Sequence, residues 1–444
     1  MKKTVVKRFL SAVLTTVMAF TMTACGSSDT GEEGSKTKGS KGDVTISVSS
    51  RYSADIPDDE FYRQKVEEFN AMDNGITVEM DNIVTESDYL DKLRTAFANG
   101  DTPNVFIEYG GSRALDYIEA DAIVDMKPYY DEDKEWYDSF YDSMFESLIY
   151  PEYEGSIWGT PFKSYVVSLF YNKEIFEQQG LEAPTTWDEL MDVCEKLSAA
   201  GIQPFQAGEK DTFRFGHFHN NIIIKSLGVE GVDKLAERTI AYDSPEMVET
   251  YQKIADMNKK GYLGVDTLNM DYTTEKETYY AEGCAMRWDG SWFVSEVYGK
   301  DVYDKTGAVA FPAINEEYAA EAQGGASDMW YVSKLNKSEE EIAASIEFVK
   351  YITSTEYFAG NNEVAAVVYP VKFEATENTP ENPLLDEVTA LLDGYTVIRT
   401  DVQNYDPESH MLDTVRNALQ GIAMGNSAEQ CAKEITGRIE VTGE

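Results

Sequence analysis

Between residues 43 and 110, strand-like and helix-like patterns alternate without interruption, and this restricts the fold more than any other feature of the chain. "VTISVSS" reads as a strand, and "DDEFYRQKVEEFN" as a helix that places Tyr62, Val66 and Phe69 on one face. "ITVEM" follows an Asn74-Gly75 turn and reads as a second strand. "SDYLDKLRTAFANG" predicts the next helix, with Ser87 at its start and Gly100 just past its end. "NVFIEYGGS" is then a buried strand that runs into a glycine turn. A βαβαβ succession joins strands running in one direction, so the fold class expected is α/β with a mainly parallel sheet flanked by helices. Ligands of such sheets gather beyond the carboxyl ends of the strands. Those ends carry Arg51, Tyr52 and Asp55 after the first strand and Glu108, Tyr109 and Ser112 after the third, although Arg51 and Asp55 could equally pair with each other.

At 444 residues the chain is too long for one simple core, and two or three lobes are expected. The helices downstream are marked by their starts. Thr186 with Glu189 forms a capping box ahead of a stripe of Leu190, Val193, Cys194 and Leu197, closed by Gly201. Ser338 with Glu341, and Ser427 with Gln430, open two further helices, the last carrying Cys431 and Ile435 on a common face.

Residues 1–24 have the anatomy of a secretion signal: Lys2, Lys3, Lys7 and Arg8, then an uncharged stretch too short to span a bilayer comfortably. Met22, Thr23 and Ala24 ahead of Cys25 resemble a bacterial lipobox, which makes Cys25 the expected site of lipidation. The Gly/Ser/Lys/Glu tract that fills residues 25–42 then reads as a flexible tether. A tether behind a lipid places the domain at the outer face of a bacterial cytoplasmic membrane, on a Gram-positive cell surface. Loss of the four signal cations would take the formal charge from −42 to −46, a surface that repels nucleic acid and anionic lipid. Cys194, Cys284 and Cys431 form no CxxC and read as core thiols. His217 and His219, two positions apart with no cysteine partner, do not make a metal site, and neither a Walker A loop nor a GxGxxG is present, so no cofactor is expected.

One short stretch, "YYAEGCAMRWDGSWF", gathers Arg287, Trp288, Asp289 and Trp292 beside two glycines. A pyranose has an apolar C–H face and a rim of hydroxyls that both donate and accept, and it suits an aromatic platform with planar polar side chains around it. Trp292, Asp289 and Trp288 are the candidates for that role, although strand alternation could turn Trp288 to the opposite face. The alternative is a core tryptophan and a capping aspartate.

Taken together, "DTPNVF", "GTPFKSYVVSLFYNKEIFEQQGLEAPTTWDEL", "YYAEGCAMRWDGSWF", "FPA" and "GGASDMWYVSK" resemble, in order and spacing, the family 1 extracellular solute-binding proteins of sugar-type ABC importers. The resemblance implies a two-lobed, type II periplasmic-binding-protein-like fold with a ligand cleft between the lobes. It implies three crossovers, near residues 163–166, 324–328 and 369–372. Residues 43–163 with 327–371 would form the N-terminal lobe, and residues 164–326 with 372–444 the other. It also implies that Trp292 stacks on the ligand, that Tyr165, Asp328 and Trp330 face the cleft, and that the aromatic loop "EKDTFRFGHFHNN" lines it with Phe213, Arg214 and His217. The implied function is capture of a carbohydrate, an oligosaccharide, by a monomer that delivers it to membrane permease subunits without catalysis. Three alternatives stay open: a secreted glycoside hydrolase, a same-fold receptor for a polyamine, peptide or organic anion, and a sugar sensor that signals to a kinase. For an anionic solute, Arg51, Lys163, Arg214 and Arg287 could supply the positive charge.

Overall fold

The computed structural model describes residues 44–442 except 84 and 366. The signal, the lipobox cysteine Cys25 and the tether lie outside the described residues.

Among the described residues, ten strands form two sheets: β1 (Val44–Ser50), β2 (Ile76–Asn82), β3 (Val105–Glu108), β4 (Thr160–Pro161), β5 (Ser164–Asn172), β6 (Met286–Gly290), β7 (Thr306–Ala310), β8 (Glu321–Ala326), β9 (Met329–Val332) and β10 (Val397–Arg399). The first sheet has the order β2-β1-β3-β9-β4. Its β1 pairs parallel with β2 and β3, as the βαβαβ pattern requires, while β9 runs antiparallel to β3 and β4. The second sheet has the order β10-β8-β5-β6, with β7 also on β5.

Strand direction in the second sheet departs from the mainly parallel expectation: β6, β7 and β8 all run antiparallel to β5, and only β10 on β8 is parallel. The alternation that forces parallel pairing is confined to residues 43–110. After β5 the chain makes a long helical excursion, so it re-enters the sheet from either end without a short crossover to dictate direction. β5 is shared along its length: Ser164–Val166 pair with β8, and Ser168–Asn172 pair with β7.

Helix boundaries follow their caps. Thr186 with Glu189 and Ser338 with Glu341 make reciprocal capping boxes, and Ser427 and Gln430 exchange the same pair of bonds. Gly100 ends its helix in the left-handed conformation at φ 72°. That helix, Glu86–Asn99, begins ahead of Ser87, with Thr85 as its N-cap residue. Its first-turn acid, Glu86, sits where the helix dipole favours negative charge. The segment after Thr212, expected as a loop, is a helix, Phe213–Ala236, interrupted at Gly228. Residues from Arg214 to Lys225 are buried on every side, so the sequence shows no amphipathic stripe to betray it.

One hydrophobic core joins Ile46–Phe162 to Ala326–Val371, and two others gather residues between Val166 and Ile435. The chain passes from the first sheet to the second between β4 and β5 and returns between β8 and β9. These two passages are laced together, with Phe162 N and Lys163 N donating to Asp328 O at 2.9 and 3.2 Å and Ser327 N donating to Lys163 O at 2.9 Å. Cys194, Cys284 and Cys431 are buried free thiols.

Candidate functional site

The space between the two sheets is a cavity of about 420 Å³. One wall follows the carboxyl ends of β1 and β3. Arg51 donates to Tyr109 Oη at 2.9 Å and forms ion pairs with Asp328 and, at 3.2 Å, Glu86. Tyr52 Oη donates to Asp328 Oδ2 at 2.7 Å, so a residue of the return passage anchors two residues that follow β1. Lys163 holds Asp58 at 2.6 Å and lies 5.3 Å from the Tyr52 ring centre. Asp59 accepts from Ala54 N at 2.8 Å, and burial pushes its carboxyl up to about 6.

The facing wall is aromatic. Trp292, Tyr165, His217, Phe213 and Tyr272 all line the cavity. The Trp292 ring centre lies 5.5 Å from that of Tyr165 and 5.8 Å from that of His217, and Phe213 lies 5.3 Å from both His217 and Tyr272. Burial lowers His217 to about 4, so its imidazole is neutral at physiological pH. Trp292 lies against Gly290, where an added Cβ would stand 2.2 Å from the indole ring. The glycine of "DGSW" therefore makes room for the platform itself.

At the floor, Asp401 accepts from Asn220 at 2.5 Å, Gln323 at 2.8 Å and Arg416 at 3.1 Å. Asp401, Asn404 and Arg416 come from the region after β10, and together with Asp58, Asp59, Glu86, Tyr272 and Glu296 they escaped the sequence reading. The polar run "TDVQNYDPE" between strand and helix was the available signal for Asp401 and Asn404.

Of the residues expected at the site, Arg51, Tyr52, Tyr109, Tyr165, Phe213, His217, Trp292 and Asp328 line the cavity. The others are placed elsewhere. Asp55 is exposed at the surface, and Asp58 and Asp59, one helical turn on, take the inward positions. Glu108 is buried against its own strand end, accepting from Tyr109 N at 2.9 Å and Tyr117 Oη at 3.4 Å. Ser112 is buried and donates to Gln403 O at 3.2 Å, while Gly111, at φ 67°, lies so close to Asn404 that a Cβ would meet its carbonyl at 2.2 Å. The glycine turn after β3 is thus a seat for the 402–405 segment. Trp330 packs in the first core, stacked on Tyr62 at 5.8 Å. Trp288 packs on Phe218 at 4.3 Å and donates its indole N–H to Arg214 O at 2.8 Å. Arg214 and Asp289 lie beneath the aromatic wall, fully buried: Arg214 binds Glu275 at 2.6 Å and Asp289 at 3.2 Å, and Arg287 pairs with Asp289. Alternation along β6 explains this, because both faces of the strand are covered and neither opens to the cavity.

The charges lining the cavity are Arg51, Lys163 and Arg416 against Asp58, Asp59, Glu86, Glu296, Asp328 and Asp401. Each of the three cations is bound to a carboxylate of the same lining. The site therefore offers no uncompensated positive charge among the described residues that line it.

Residues 53–357 match the family model of the bacterial extracellular solute-binding proteins. The chain belongs to that family. This solute-binding protein is 28% identical over 278 residues to the sn-glycerol-3-phosphate-binding periplasmic protein UgpB of Escherichia coli K12, an alignment covering 59% of this chain and 60% of UgpB. The match thus spans about three fifths of the length of the curated relative. Among solved structures, it resembles a chitin oligosaccharide binding protein at a TM-score of 0.80 and 22% identity, over 89% of this chain and 98% of the other. It also resembles the solute-binding protein RafE in complex with raffinose, at a TM-score of 0.72 and 17% identity over 88% and 98%. At these identities the likeness establishes the two-lobed type II fold. No helix among the described residues is long and apolar enough to cross a membrane.

Proposed function

We propose that this solute-binding protein captures a neutral carbohydrate, an oligosaccharide, between its lobes and delivers it to the permease of an ABC transporter. The lobes of this reading are residues 43–163 with 327–371 and residues 164–326 with 372–444, and Cys25 carries the lipid that holds the protein at the outer face of the membrane. The observation that carries the reading is the wall of five rings facing a wall whose cations are each paired with a carboxylate. Rings offer the flat apolar surface that a pyranose C–H face covers, and the opposing carboxylates and hydroxyls of Asp328, Glu86, Tyr52 and Tyr109 accept from and donate to its hydroxyl rim. A cavity of about 420 Å³ falls in the range of small-molecule sites, roughly 300–1,000 Å³. Two relatives of the same fold are named for chitin oligosaccharide and raffinose, which supports the oligosaccharide.

UgpB is named for a phosphorylated solute, and the cleft argues against the same ligand here. A phosphate would enter a site whose three cations already hold carboxylates, beside further acidic groups. The acidic surplus favours, as a second reading, a solute that bears an amine. No catalytic step is assigned: Asp58, Glu86, Glu296, Asp328 and Asp401 are each engaged in an ion pair, and Asp59 is held by the Ala54 backbone N–H.

A thermal-shift screen separates these readings. A ligand that binds only the native state stabilises by about 2.7 kcal/mol at a hundredfold excess over Kd. We expect a selective rise in Tm with a neutral saccharide and none with sn-glycerol-3-phosphate. A rise with polyamines alone, or release of hydrolysis products, would overturn the carbohydrate-receptor reading.

A further inference from the structure

The Trp292 ring is hydrogen-bonded through its indole N–H to a single oxygen. Its indole Nε1–H donates to Tyr272 Oη at 2.9 Å, and the same oxygen stands 3.0 Å from Asp289 Oδ2 and 2.7 Å from Glu296 Oε2. A phenol hydroxyl has one hydrogen, so it can donate to only one of these two carboxylates. The other O···O contact closes only if that carboxyl brings its own proton. Asp289 is not the proton's home, because Arg214, Arg287 and Gly290 N all donate to it. Glu296 has Lys276 on its other oxygen at 2.7 Å, with Tyr280 Oη donating to the Glu296 backbone carbonyl at 3.1 Å.

From this arrangement we infer that Tyr272 is the positioning residue of the aromatic platform, and that a proton on Glu296 Oε2 completes its hold on Trp292. The inference rests on the platform reading of Trp292. With that proton in place the phenol oxygen accepts from Trp292 and Glu296 and donates to Asp289, and all of its capacity is used. Without it, the Tyr272 hydroxyl satisfies one carboxylate while the other faces a phenol lone pair at about hydrogen-bond distance, and the contact that aligns Trp292 is loosened. The groups facing Glu296 act in both directions: burial raises its carboxyl first, Lys276 opposes, and Asp289 adds to the rise. Asp289 is pushed up by burial but held below its ordinary value by Arg287 and then Arg214. The ring of Tyr272 is itself crowded by cations, with Lys276 at 4.4 Å, Arg214 at 5.4 Å and Arg287 at 5.5 Å, so its position is fixed from several sides.

The sign follows from linkage. A carboxyl raised in the folded state keeps its proton below the unfolded value, about 4.3, and loses it as pH climbs through the folded value, so the platform is aligned at low pH and loosened at high pH. The test is the pH dependence of the Trp292 indole N–H resonance in ¹⁵N-correlated spectra of the ligand-free protein, assigned among six tryptophans by its absence in Trp292→Phe. We expect this signal to move as pH climbs above the ordinary carboxylate range in the wild type, and to stay fixed in Glu296→Gln, whose amide donates to Tyr272 at every pH. Calorimetric affinity for a neutral saccharide is expected to fall several-fold over the same climb in the wild type and to vary less in Glu296→Gln, whatever its level. Tyr272→Phe, which keeps the ring but not the hydroxyl, should weaken binding by about tenfold at low pH. Identical indole titrations in wild type and Glu296→Gln would overturn the inference, even where saccharide binds as proposed. A pH-dependent indole with no saccharide binding would leave the positioning intact and refute the function.

Discussion

At the scale of single residues, the decisive contacts are those that a substitution of one or two atoms would disturb. Gly290 is the clearest. It ends β6 directly behind the Trp292 ring, and a methyl group there would overlap the indole at 2.2 Å. We expect Gly290→Ala to tilt Trp292 and weaken saccharide binding by about tenfold or more, roughly 1.4 kcal/mol of stacking and alignment. Circular dichroism should show the same secondary structure, and an unchanged calorimetric affinity would show that the ring does not touch the ligand. The place of Trp292 on the cavity lining was legible through the family resemblance, which puts a stacking tryptophan in "DGSW", although a core tryptophan was an equally plain reading of the residues alone. Trp288 and Trp330 were not separable from it on the same grounds. Both are large aromatics next to polar residues, and only the packing of Phe218 over one and Tyr62 over the other assigns them to cores.

At the scale of elements, the first sheet was readable because its helices and strands each carry a local signal: an amphipathic stripe, a cap, a turn glycine. The second sheet was not, since strand direction there depends on where a long excursion re-enters, which no window of sequence records. For the same reason the floor of the cleft was missed. Asp401 and Arg416 reach it only because the 399–416 segment folds back against β8 and the helix Phe213–Ala236, and that helix hides its period by being buried all round. The passage between β8 and β9 joins the elements most tightly, because Asp328 binds both Arg51 and Tyr52 after β1. Asp328→Ala should lower stability by about 2 kcal/mol, read as a fall in Tm, since Tyr52 loses its acceptor and Arg51 keeps only Glu86 and the Tyr109 hydroxyl. Asp328→Asn, which keeps an acceptor for Tyr52, should recover part of the loss. Equal melting of all three proteins would show that the passage is held by its backbone bonds instead.

At the scale of the whole molecule, separate cores are joined by narrow passages, and the cleft between them combines surfaces that neither side completes alone. One side brings cations held by a surplus of carboxylates, and the other brings rings. The balance is acidic, in keeping with a formal charge of −42, and such a balance disfavours a phosphate electrostatically but sets no such penalty on an uncharged polyol. The central claim is therefore that the cleft recognises a neutral saccharide through Trp292. Parallel calorimetric titrations of the wild type and Trp292→Ala, each with a chitin oligosaccharide, raffinose and sn-glycerol-3-phosphate, test it most directly. The account predicts that a saccharide binds the wild type, that the binding is lost or greatly weakened in Trp292→Ala, and that the phosphate gives no heat of binding. Tight binding of sn-glycerol-3-phosphate, or saccharide binding indifferent to the loss of Trp292, would contradict it.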